Sequence, residues 1–437
     1  MPEAAVYAVA GNPVLHSRSP ELFVAGFRAV GIDAVYTRMA ARTAKEIRLL
    51  ADALGLMGLN ITSPFKEKIL PCLDELEPEA RVIGAVNTIV RKNGRLVGHN
   101  TDPAGVVNAL IARGVGLSGR KALVLGAGGA ARAAVFGLVR AGCRVTIVNR
   151  TAAKAEAVAK QMECAWIGQM KLEKVVRDAE IIVSCRSTAE RPFDPALLRS
   201  DHVVMDARYQ GSQLVEDAGP RAVMVIPGRD WLLYQAAAAF ELLTGVPGPI
   251  REMGRALEKG RPDQRRKAIT LVGFMGSGKS TLGKLLAHKL NRRYEDTDAL
   301  VESAAGADVP EIFARAGEAK FRAMEKEVVR SLDFAPNTVV SLGGGAVLDP
   351  EVRAMIKARA ISFWICADPG KTSLLPPGSR PLLKGMSAPA EISALFRARI
   401  PTYAAAADAV IFNGGRPKDL ETAAERIKDE IHQILAS

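Results

Sequence analysis

Short runs rich in β-branched residues alternate with stretches rich in alanine and leucine along almost the whole chain. This alternation is typical of α/β proteins whose sheets are mainly parallel. We predict strands near Val6–Ala10, Val35–Met39 and Leu59–Thr62 with helices between them, a turn-rich stretch over Arg91–Asp102, a helix after Pro103, and a strand at Lys121–Leu125 that opens a second unit ending in a helix near Gly245.

The segment from Glu258 to Lys267 has no apolar residue. It carries five basic and two acidic residues and contains Gly260 and Pro262, a composition typical of an exposed linker. A strand predicted at Ala268–Val272 follows at once. We therefore place the main domain boundary at 258–267 and a subsidiary boundary near 103, and we expect the parts on either side of the linker to fold separately.

The composition narrows the class of protein. The length of 437 residues suggests about three domains, and the apolar content of 48% excludes a disordered chain. No run approaches the ~18 apolar residues that span a membrane, the N-terminus lacks a basic signal segment, and the five cysteines form no CxxC pair. We therefore expect a cytoplasmic protein with no membrane partner, and either a monomer or a homodimer.

The net charge of +12 raises the alternative of nucleic-acid binding. The basic residues are dispersed, however, and are not interleaved with aromatic residues. Sites for anionic small molecules account for the same excess of basic residues, and the sequence offers such sites. We therefore expect small-molecule substrates and no nucleic-acid partner. Affinity for duplex DNA with a steep salt dependence would favour the alternative.

The run from Gly273 to Ser280 fits the pattern GxxxxGK[ST], follows an apolar strand and opens a helix predicted at Lys279–Leu290. Backbone N–H groups of such a loop wrap a phosphate, the lysine reaches the β and γ phosphates, and the hydroxyl of Ser280 binds Mg²⁺. The residues expected to bind ATP are Gly276, Ser277, Gly278, Lys279, Ser280 and Thr281. The sequence therefore predicts a nucleotide site.

Further motifs follow the P-loop. Two carboxylates, Asp296 and Asp298, stand at the end of a probable strand, where a spacing of two residues would turn both toward the site. The others are Gly317-Glu-Ala-Lys-Phe-Arg322-Ala-Met-Glu325, Gly343-Gly-Gly, Arg380-Pro-Leu-Leu and Arg399-Ile-Pro-Thr-Tyr403. Together with the P-loop, this combination resembles shikimate kinase over about 268–437.

The resemblance to shikimate kinase assigns roles to several of these residues. It implies that Asp298, Arg322, Gly344 and Arg399 hold shikimate, with the two arginines on its carboxylate. It also implies that Asp296 serves the Mg²⁺ ion bound by Ser280, that Lys279 is catalytic, and that Arg380 binds ATP from a lid and stabilises the transferring phosphoryl group. The lid sequence before Arg380, PGKTSLLPPGS, is shorter and less basic than is usual in that family.

A second glycine-rich turn follows the strand at Lys121–Leu125 and matches GxGxx[G/A], in which pyrophosphate binds at a helix N-terminus. A tight turn without a ligand is the alternative. At the end of the next strand an NAD site usually has Asp or Glu, whereas this chain has Asn149 and Arg150, which favours the 2′-phosphate of NADP. The residues expected to bind NADP are Gly126, Ala127, Gly128, Gly129, Ala130, Asn149, Arg150, Thr151, Lys154 and Gly228.

The N-terminal part supplies motifs for a substrate: His16-Ser17-Arg-Ser19-Pro20, Asn60-Ile-Thr62-Ser-Pro-Phe-Lys66, Ala85-Val-Asn87-Thr and Gly98-His-Asn-Thr-Asp102. They resemble shikimate dehydrogenase, over about 1–250. The resemblance implies that Ser17 and Ser19 bind the substrate carboxylate, that Asn60, Thr62, Asn87, Asp102, Tyr209 and Gln235 hold the rest of the substrate, and that Lys66 and Asp102 form the catalytic acid/base pair.

The sequence therefore predicts an α/β fold in three domains. A dehydrogenase substrate domain at 1–103, with return helices at about 231–257, is followed by a Rossmann NADP domain at 104–230. The third is a P-loop domain at 268–437 with a parallel sheet, like those of nucleoside-monophosphate kinases. We expect a bifunctional enzyme that uses NADP(H), ATP and Mg²⁺. A shikimate kinase with a non-catalytic dehydrogenase-like module is the alternative, because Ser184-Cys-Arg-Ser-Thr188 replaces an Asn-Ala-Thr type turn.

Overall fold

The computed structural model describes residues 4–186, 188, 190–208, 211–221, 223–259, 267–367 and 389–436. Tyr209, Arg380 and most of the predicted linker therefore lie outside the described residues. Contacts divide the chain into two compact units. The first unit comprises described residues 4–20, 33–65 and those from 267 onward, and the second comprises 21–32 and 66–259. The predicted division into three domains stays a prediction.

The elements before the linker are the following, in chain order. The strands are β1 (Ala5–Gly11), β2 (Ala34–Ala40), β3 (Gly58–Ile61), β4 (Glu75–Leu76), β5 (Thr88–Lys92), β6 (Arg95–His99), β7 (Lys121–Leu125), β8 (Arg144–Val148), β9 (Ala165–Ile167), β10 (Ile181–Ser184), β11 (Val203–Asp206) and β12 (Met224–Ile226). The helices are α1 (Ser19–Val30), α2 (Ala44–Ala53), α3 (Pro78–Ile83), α4 (Asp102–Ala112), α5 (Gly129–Arg140), α6 (Ala152–Gln161), α7 (Leu172–Asp178), α8 (Gln213–Ala218), α9 (Gly228–Thr244) and α10 (Ile250–Glu258).

The elements after the linker continue the same numbering. The strands are β13 (Ala268–Val272), β14 (Arg293–Asp296), β15 (Thr338–Ser341), β16 (Ala360–Cys366) and β17 (Ala409–Phe412). The helices are α11 (Lys279–Leu290), α12 (Thr297–Ala305), α13 (Val309–Ser331), α14 (Pro350–Arg359), α15 (Pro389–Ala406) and α16 (Pro417–Ala436). None of the helices in the described ranges is long and apolar enough to cross a membrane.

The sheet of the first unit contains strands from both ends of the chain. Its order is β14-β15-β13-β16-β17-β2-β1-β3, and all of these neighbours pair in parallel. The junction is the pairing of Val410 with Met39 and of Ile411 with Ala40. The strands that follow the linker therefore continue a sheet begun by the N-terminal strands. The expectation that the parts on either side of the linker fold separately did not include this shared interface.

The second unit has a six-stranded parallel sheet in the order β12-β11-β10-β7-β8-β9. Its central strands are buried on both faces, as parallel strands between helices are. In β7, Ala122 and Val124 pack in one apolar cluster and Leu123 and Leu125 in another, because successive side chains point to opposite faces. The predicted α/β class with mainly parallel sheets is confirmed.

The prediction of turns over Arg91–Asp102 is wrong. Strands β5 and β6 form an antiparallel hairpin there. Asn93 and Gly94 join them with φ of 51° and 79°, which is the left-handed conformation that a two-residue hairpin turn needs. The helix expected after Pro103 begins at Asp102 and holds the proline in its first turn.

Candidate active sites

The glycine-rich turn after β7 lies where the strand order of the six-stranded sheet reverses, between β7 and β10, which is where open α/β sheets bind dinucleotides. Gly126 has a φ of 116°, and a methyl group on it would lie 3.0 Å from the carbonyl oxygen of Cys185. A side chain is therefore excluded on both grounds. The turn leads directly into α5, whose N-terminus is suited to an anion.

A cavity of about 490 Å³ opens over this turn. Its walls include Gly126, Ala127 and Gly128 of the turn, Asn149 and Arg150 after β8, and Cys185 and Arg186 after β10. The volume falls in the range of about 300–1,000 Å³ that is usual for small-molecule sites. The structure thus brings together five of the residues predicted to bind NADP.

The residues after β8 include two cations, of which Arg150 lines this cavity. Asn149 donates a 3.1 Å hydrogen bond to the carbonyl of Thr151, and the side chain of Arg150 is exposed beside it. Thr151 is the N-cap residue of α6, and Lys154 lies exposed in the first turn of that helix. An arginine and a lysine without a carboxylate at the strand end suit a phosphate on the ribose.

Lys66 and Asp102 form an ion pair, with Nζ 2.5 Å from Oδ2. Asp102 is 5% exposed at the start of α4. Its amide donates to Oδ1 of Asn100 at 3.0 Å, and its carbonyl accepts from Nε1 of Trp231 at 3.1 Å. The backbone of Asp102 is therefore held on both sides while its carboxylate pairs with Lys66, and the lysine side chain stays 24% exposed. This is a geometry in which an ammonium can pass a proton to a bound ligand.

The ion pair lies beside the glycine-rich turn. A methyl group on Gly129 would lie 3.4 Å from Cβ of Ala85 and 3.9 Å from Cβ of Lys66. Burial raises the pKa of the Cys185 thiol, and the nearby carboxylates of Asp206 and Asp102 raise it further. The acid/base pair, the turn after β7 and the turn after β10 therefore meet in one place within the second unit.

A network of neutral polar groups adjoins the ion pair. Asn87 donates to Oγ1 of Thr101 at 3.0 Å and to Oε1 of Gln235 at 3.2 Å, and its Oδ1 accepts from the Thr101 amide at 2.8 Å. Since Thr101 directly precedes Asp102, the network connects two predicted substrate residues, Asn87 and Gln235, to the Lys66–Asp102 pair.

The remaining predicted substrate residues with described positions belong to the first unit: Ser17, Ser19, Asn60 and Thr62. Ser17 Oγ lies 3.3 Å from Ser19 Oγ, so the two hydroxyls predicted to bind a carboxylate are adjacent. Arg38 donates to the carbonyl of Ser17 at 2.8 and 3.1 Å. Asn60 accepts from the hydroxyl of Tyr36 at 2.6 Å.

Gly228 and the turn after β10 are each held by local contacts. Gly228 begins α9, and a methyl group on it would lie 2.8 Å from the carbonyl oxygen of Arg208. Close packing therefore requires a glycine there, independently of any cofactor. In the turn after β10, where the sequence departs from the Asn-Ala-Thr type, Arg186 donates to Oγ1 of Thr188 at 3.1 Å and to the carbonyl of Glu190 at 3.2 Å. Arg186 therefore stabilises this turn.

The P-loop of the first unit has the backbone that its sequence predicts. Gly273 and Gly278 have φ of 145° and 87°, and α11 begins directly after Gly278. Lys279 donates from Nζ to the carbonyls of Gly273 and Phe274 at 2.9 and 3.0 Å. The hydroxyl of Ser277 is buried and has no hydrogen-bond partner among the described residues, as expected of a group that receives a ligand.

The two carboxylates after β14 do not share a strand, so the expectation drawn from their spacing is wrong. β14 ends at Asp296, and Asp298 lies in the first turn of α12. Asp296 caps this helix by accepting the Asp298 amide at 3.1 Å. Its other oxygen accepts from the hydroxyl of Tyr294 at 2.8 Å.

The donor set near Asp296 fits a magnesium ion. Burial raises the pKa of Tyr294 to about 12, with hydrogen bonds from Ser341 and Ser280 opposing it, so Ser280 and Asp296 both reach this phenol. Hydroxyl and carboxylate oxygens are the hard ligands that Mg²⁺ takes along with nucleotide phosphates and water. Among the described residues there is no group of three or more His, Cys, Asp or Glu placed to hold a metal.

A second ligand site surrounds the loop Gly343–Gly345. A methyl group on Gly343 would overlap Oε1 of Glu325 and one on Gly345 would overlap the guanidinium of Arg322. Arg322 donates to Glu325 at 2.6 Å. The Glu325 side chain is 2% exposed, and burial raises its pKa against the effect of Arg322.

Arg399 and Tyr403 complete this site from α15. Tyr403 donates to the carbonyl of Gly344 at 2.6 Å, and burial raises its pKa to about 12 although Arg399 and Arg322 oppose the shift. The Arg399 guanidinium lies 5.8 Å from the ring centre of Phe274, and its buried Nη1 has no partner among the described residues. Arg322 thus contacts the Gly343–Gly345 loop directly, and Arg399 lies near Tyr403, which donates to that loop.

Three residues of this site had no role in the sequence analysis: Glu325, Tyr403 and Asn413. Glu325 and Tyr403 end the motifs that begin with Gly317 and Arg399, so their spacing was a usable signal. Asn413 had none. It follows β17 and donates to the carbonyl of Ser277 at 2.9 Å, which supports the P-loop.

The geometry defines a class of protein, an enzyme that joins a dinucleotide-dependent oxidoreductase site to a P-loop kinase site in one chain. Family models agree with this class. Residues 9–89 match the shikimate dehydrogenase substrate binding domain, residues 109–224 match shikimate / quinate 5-dehydrogenase, and residues 275–434 match shikimate kinase.

Individual relatives cover the dehydrogenase part. The shikimate dehydrogenase (NADP(+)) of Haloarcula marismortui is 40% identical over 263 residues, which are 58% of this chain and 98% of that protein. The crystal structure of the Thermus thermophilus enzyme with NADP(H) and shikimate has a TM-score of 0.54 and 32% identity, and covers 58% of this chain and 98% of its own. The Aquifex aeolicus structure has a TM-score of 0.56 and 34% identity, with 59% and 98% covered. The chain belongs to the shikimate dehydrogenase family and carries a shikimate kinase domain after it, which makes it a bifunctional enzyme of the shikimate pathway.

Proposed function

We propose that the protein reduces 3-dehydroshikimate to shikimate with NADPH and then phosphorylates shikimate with ATP. The observation that carries the proposal is the position of the Lys66–Asp102 pair beside the glycine-rich turn at Gly129. Reduction of a ring ketone needs an acid/base group and a bound dinucleotide in one site, and this arrangement offers a candidate for each.

In the dehydrogenase reaction, bound NADPH supplies the hydride that reaches the carbonyl carbon. Lys66 donates a proton to the carbonyl oxygen as negative charge develops there, and Asp102 holds the ammonium in place. Asn87 and Gln235 orient the ring hydroxyls, and Ser17 with Ser19 binds the carboxylate. Asn60, Thr62 and Tyr209 contribute to the same substrate by resemblance.

The preference for NADP is assigned to the residues after β8. Arg150 lines the cavity and Lys154 lies exposed in the first turn of α6, and Asn149 replaces the carboxylate that would repel a 2′-phosphate. Gly126 to Ala130 cradle the pyrophosphate with backbone amides. Gly228 lines the cofactor by resemblance.

In the kinase reaction, the P-loop binds ATP and Lys279 neutralises charge on its phosphates. Ser280 binds Mg²⁺ directly and Asp296 supports it, while Thr281 continues the nucleotide contacts. Asp298 accepts from the shikimate hydroxyls, Arg322 and Arg399 take its carboxylate, and Gly344 contacts the ring. Arg380 stabilises the transferring group by resemblance, since it lies outside the described residues.

The setting proposed for both reactions is the cytoplasm. The five cysteines are free thiols, which supports a reducing compartment.

The test supplies 3-dehydroshikimate, NADPH, ATP and Mg²⁺ to the purified chain and follows NADP⁺, shikimate and shikimate phosphate. We expect both products in sequence, with phosphate transfer lost when ATP or Mg²⁺ is left out. Shikimate phosphorylation without NADPH oxidation would favour the alternative of a non-catalytic dehydrogenase-like module. Loss of NADPH oxidation alone would therefore reject only half of the proposal.

A further inference from the structure

The C-terminal helix of the kinase domain contacts the loop that carries two predicted dehydrogenase residues. Glu430, in α16, accepts the amide of Val14 at 2.9 Å with both carboxylate oxygens and the amide of Leu15 at 2.8 Å. The Glu430 side chain is 0% exposed. A fully buried carboxylate from residue 430 thus holds two successive amides near the start of the chain, and both partners belong to the first unit.

The loop held in this way carries Ser17 and Ser19. The amide of Ser17 donates to the carbonyl of Val14 at 2.9 Å, so a turn connects the two residues directly. Arg38 holds the carbonyl of Ser17 from the other side at 2.8 Å. Any displacement of Val14 would therefore move the Ser17 hydroxyl, which lies 3.3 Å from that of Ser19.

The helix is anchored by a second buried contact one turn earlier. Arg426 donates to Oε1 of Glu46 at 2.6 Å and to the carbonyl of Ala40, at the end of β2, at 2.7 Å. The side chains of the pair are only 3% and 6% exposed. Arg42 also donates to Glu46, at 3.0 Å. Together with the β17–β2 pairing, this contact fixes α16 against the N-terminal strands.

Both oxygens of Glu430 face backbone N–H donors of the loop. Burial raises its pKa, whereas the two amides, Arg426 and Arg38 oppose that shift. An ionised carboxylate accepts hydrogen bonds only, so both of its oxygens can face the two amides. A carboxamide at the same place would turn an NH₂ group toward one of these donors.

We propose that Glu430 of the kinase domain is a positioning residue for the dehydrogenase, holding the Val14–Ser19 loop so that Ser17 and Ser19 meet the substrate carboxylate. The inference rests on the proposed function of these two serines. It means that the kinase helix completes the dehydrogenase substrate site, so the reductase depends on the fused domain for substrate affinity.

The test uses the full chain with Glu430→Gln. We expect the KM of the dehydrogenase for shikimate to rise about tenfold with a smaller change in kcat, because the NH₂ group of glutamine would replace an oxygen that now accepts from the loop that binds the carboxylate. The KM for shikimate methyl ester, which lacks the charged carboxylate, should change much less. The matched control is Glu425→Gln on the same helix, where the glutamate is 47% exposed and pairs with Lys289.

A purely structural role would lower kcat through loss of folded enzyme and leave KM unchanged. Glu430→Asp keeps the charge but shortens the side chain by one methylene group, so its KM should lie between those of wild type and Glu430→Gln. This second variant still tests the proposal if Glu430→Gln folds poorly. Ser17→Ala separates the positioning role of Glu430 from the proposed binding of the substrate carboxylate by Ser17. A rise in KM with Ser17→Ala but not with either Glu430 variant overturns the inference alone, whereas an unchanged KM with Ser17→Ala rejects the proposed carboxylate site.

Discussion

Lys66 lies 2.5 Å from Asp102, and the two partners differ in exposure, with 24% of the lysine side chain accessible and 8% of the aspartate. The backbone of the buried partner is held by Asn100 and Trp231. This asymmetry supports the proposal that Lys66 delivers the proton and Asp102 holds the ammonium in place.

The first prediction removes that proton donor. Lys66→Ala should lower the rate of NADPH oxidation by at least about 100-fold, the range of general acid catalysis, and leave shikimate phosphorylation near wild type. Lys68→Ala, at an exposed lysine two residues away, is the matched control and should retain both activities. Steady-state kinetics of both reactions decide it, and a reductase that keeps its rate would reject Lys66 as the donor.

The second prediction concerns the cofactor. Arg150→Ala should raise the KM for NADPH about tenfold or more, because a charge-assisted contact to the 2′-phosphate is lost, and should leave the KM for NADH almost unchanged. Arg144→Ala, at the opposite end of the same strand, is the control. Equal effects on both cofactors would show that Arg150 does not touch the 2′-phosphate.

The third prediction concerns the acceptor site of the kinase. Arg399→Lys keeps the charge but removes the planar fork, so the KM for shikimate in phosphorylation should rise about tenfold while the KM for ATP changes little. Arg397→Lys, at an exposed arginine on the same helix, should be silent. Initial rates at varied shikimate check it, and an effect confined to ATP would place Arg399 at the nucleotide instead.

The most accurate predictions from the sequence were of elements whose bounds are determined by short segments of the chain. The P-loop helix has its expected bounds, Lys279–Leu290, and β7 and β13 begin and end where the apolar runs do. These elements depend on local spacing and on glycines that need positive φ. The hairpin at Asn93-Gly94 was also encoded locally, and its turn dipeptide was overlooked.

Contacts between distant segments could not be predicted in this way. Glu46, Arg426 and Glu430 lie in helices with charged residues at many positions, so each looks like part of a solvated face in the sequence. These residues are buried because β17 pairs with β2. No sequence signal indicates that these two edge strands will pair with each other. Asp298 was misplaced for a related reason, because the chain turns into α12 after Asp296.

The last prediction follows from this buried interface. If 1–259 and 267–437 are expressed separately, the first leaves Glu46 without Arg426, and the second leaves Arg426 without Glu46. Removing one partner of a buried ion pair costs about 3–5 kcal/mol, and each part also exposes an edge strand. Both parts alone should therefore be less soluble and unfold at lower temperature than the intact chain, contrary to the expectation of separately folding parts.

Mixing or co-expressing the two parts should restore the soluble complex and both activities, because the interface and not the linker holds them together. The matched control is an intact chain with a flexible Gly/Ser insertion between Lys259 and Lys267, which lengthens the connection and should leave the melting temperature unchanged. Thermal unfolding and size-exclusion chromatography of the parts, the mixture and the control decide the question. If each part alone is as stable and as active as it is in the intact chain, then the Glu46–Arg426 pair and the β2–β17 pairing contribute nothing to folding.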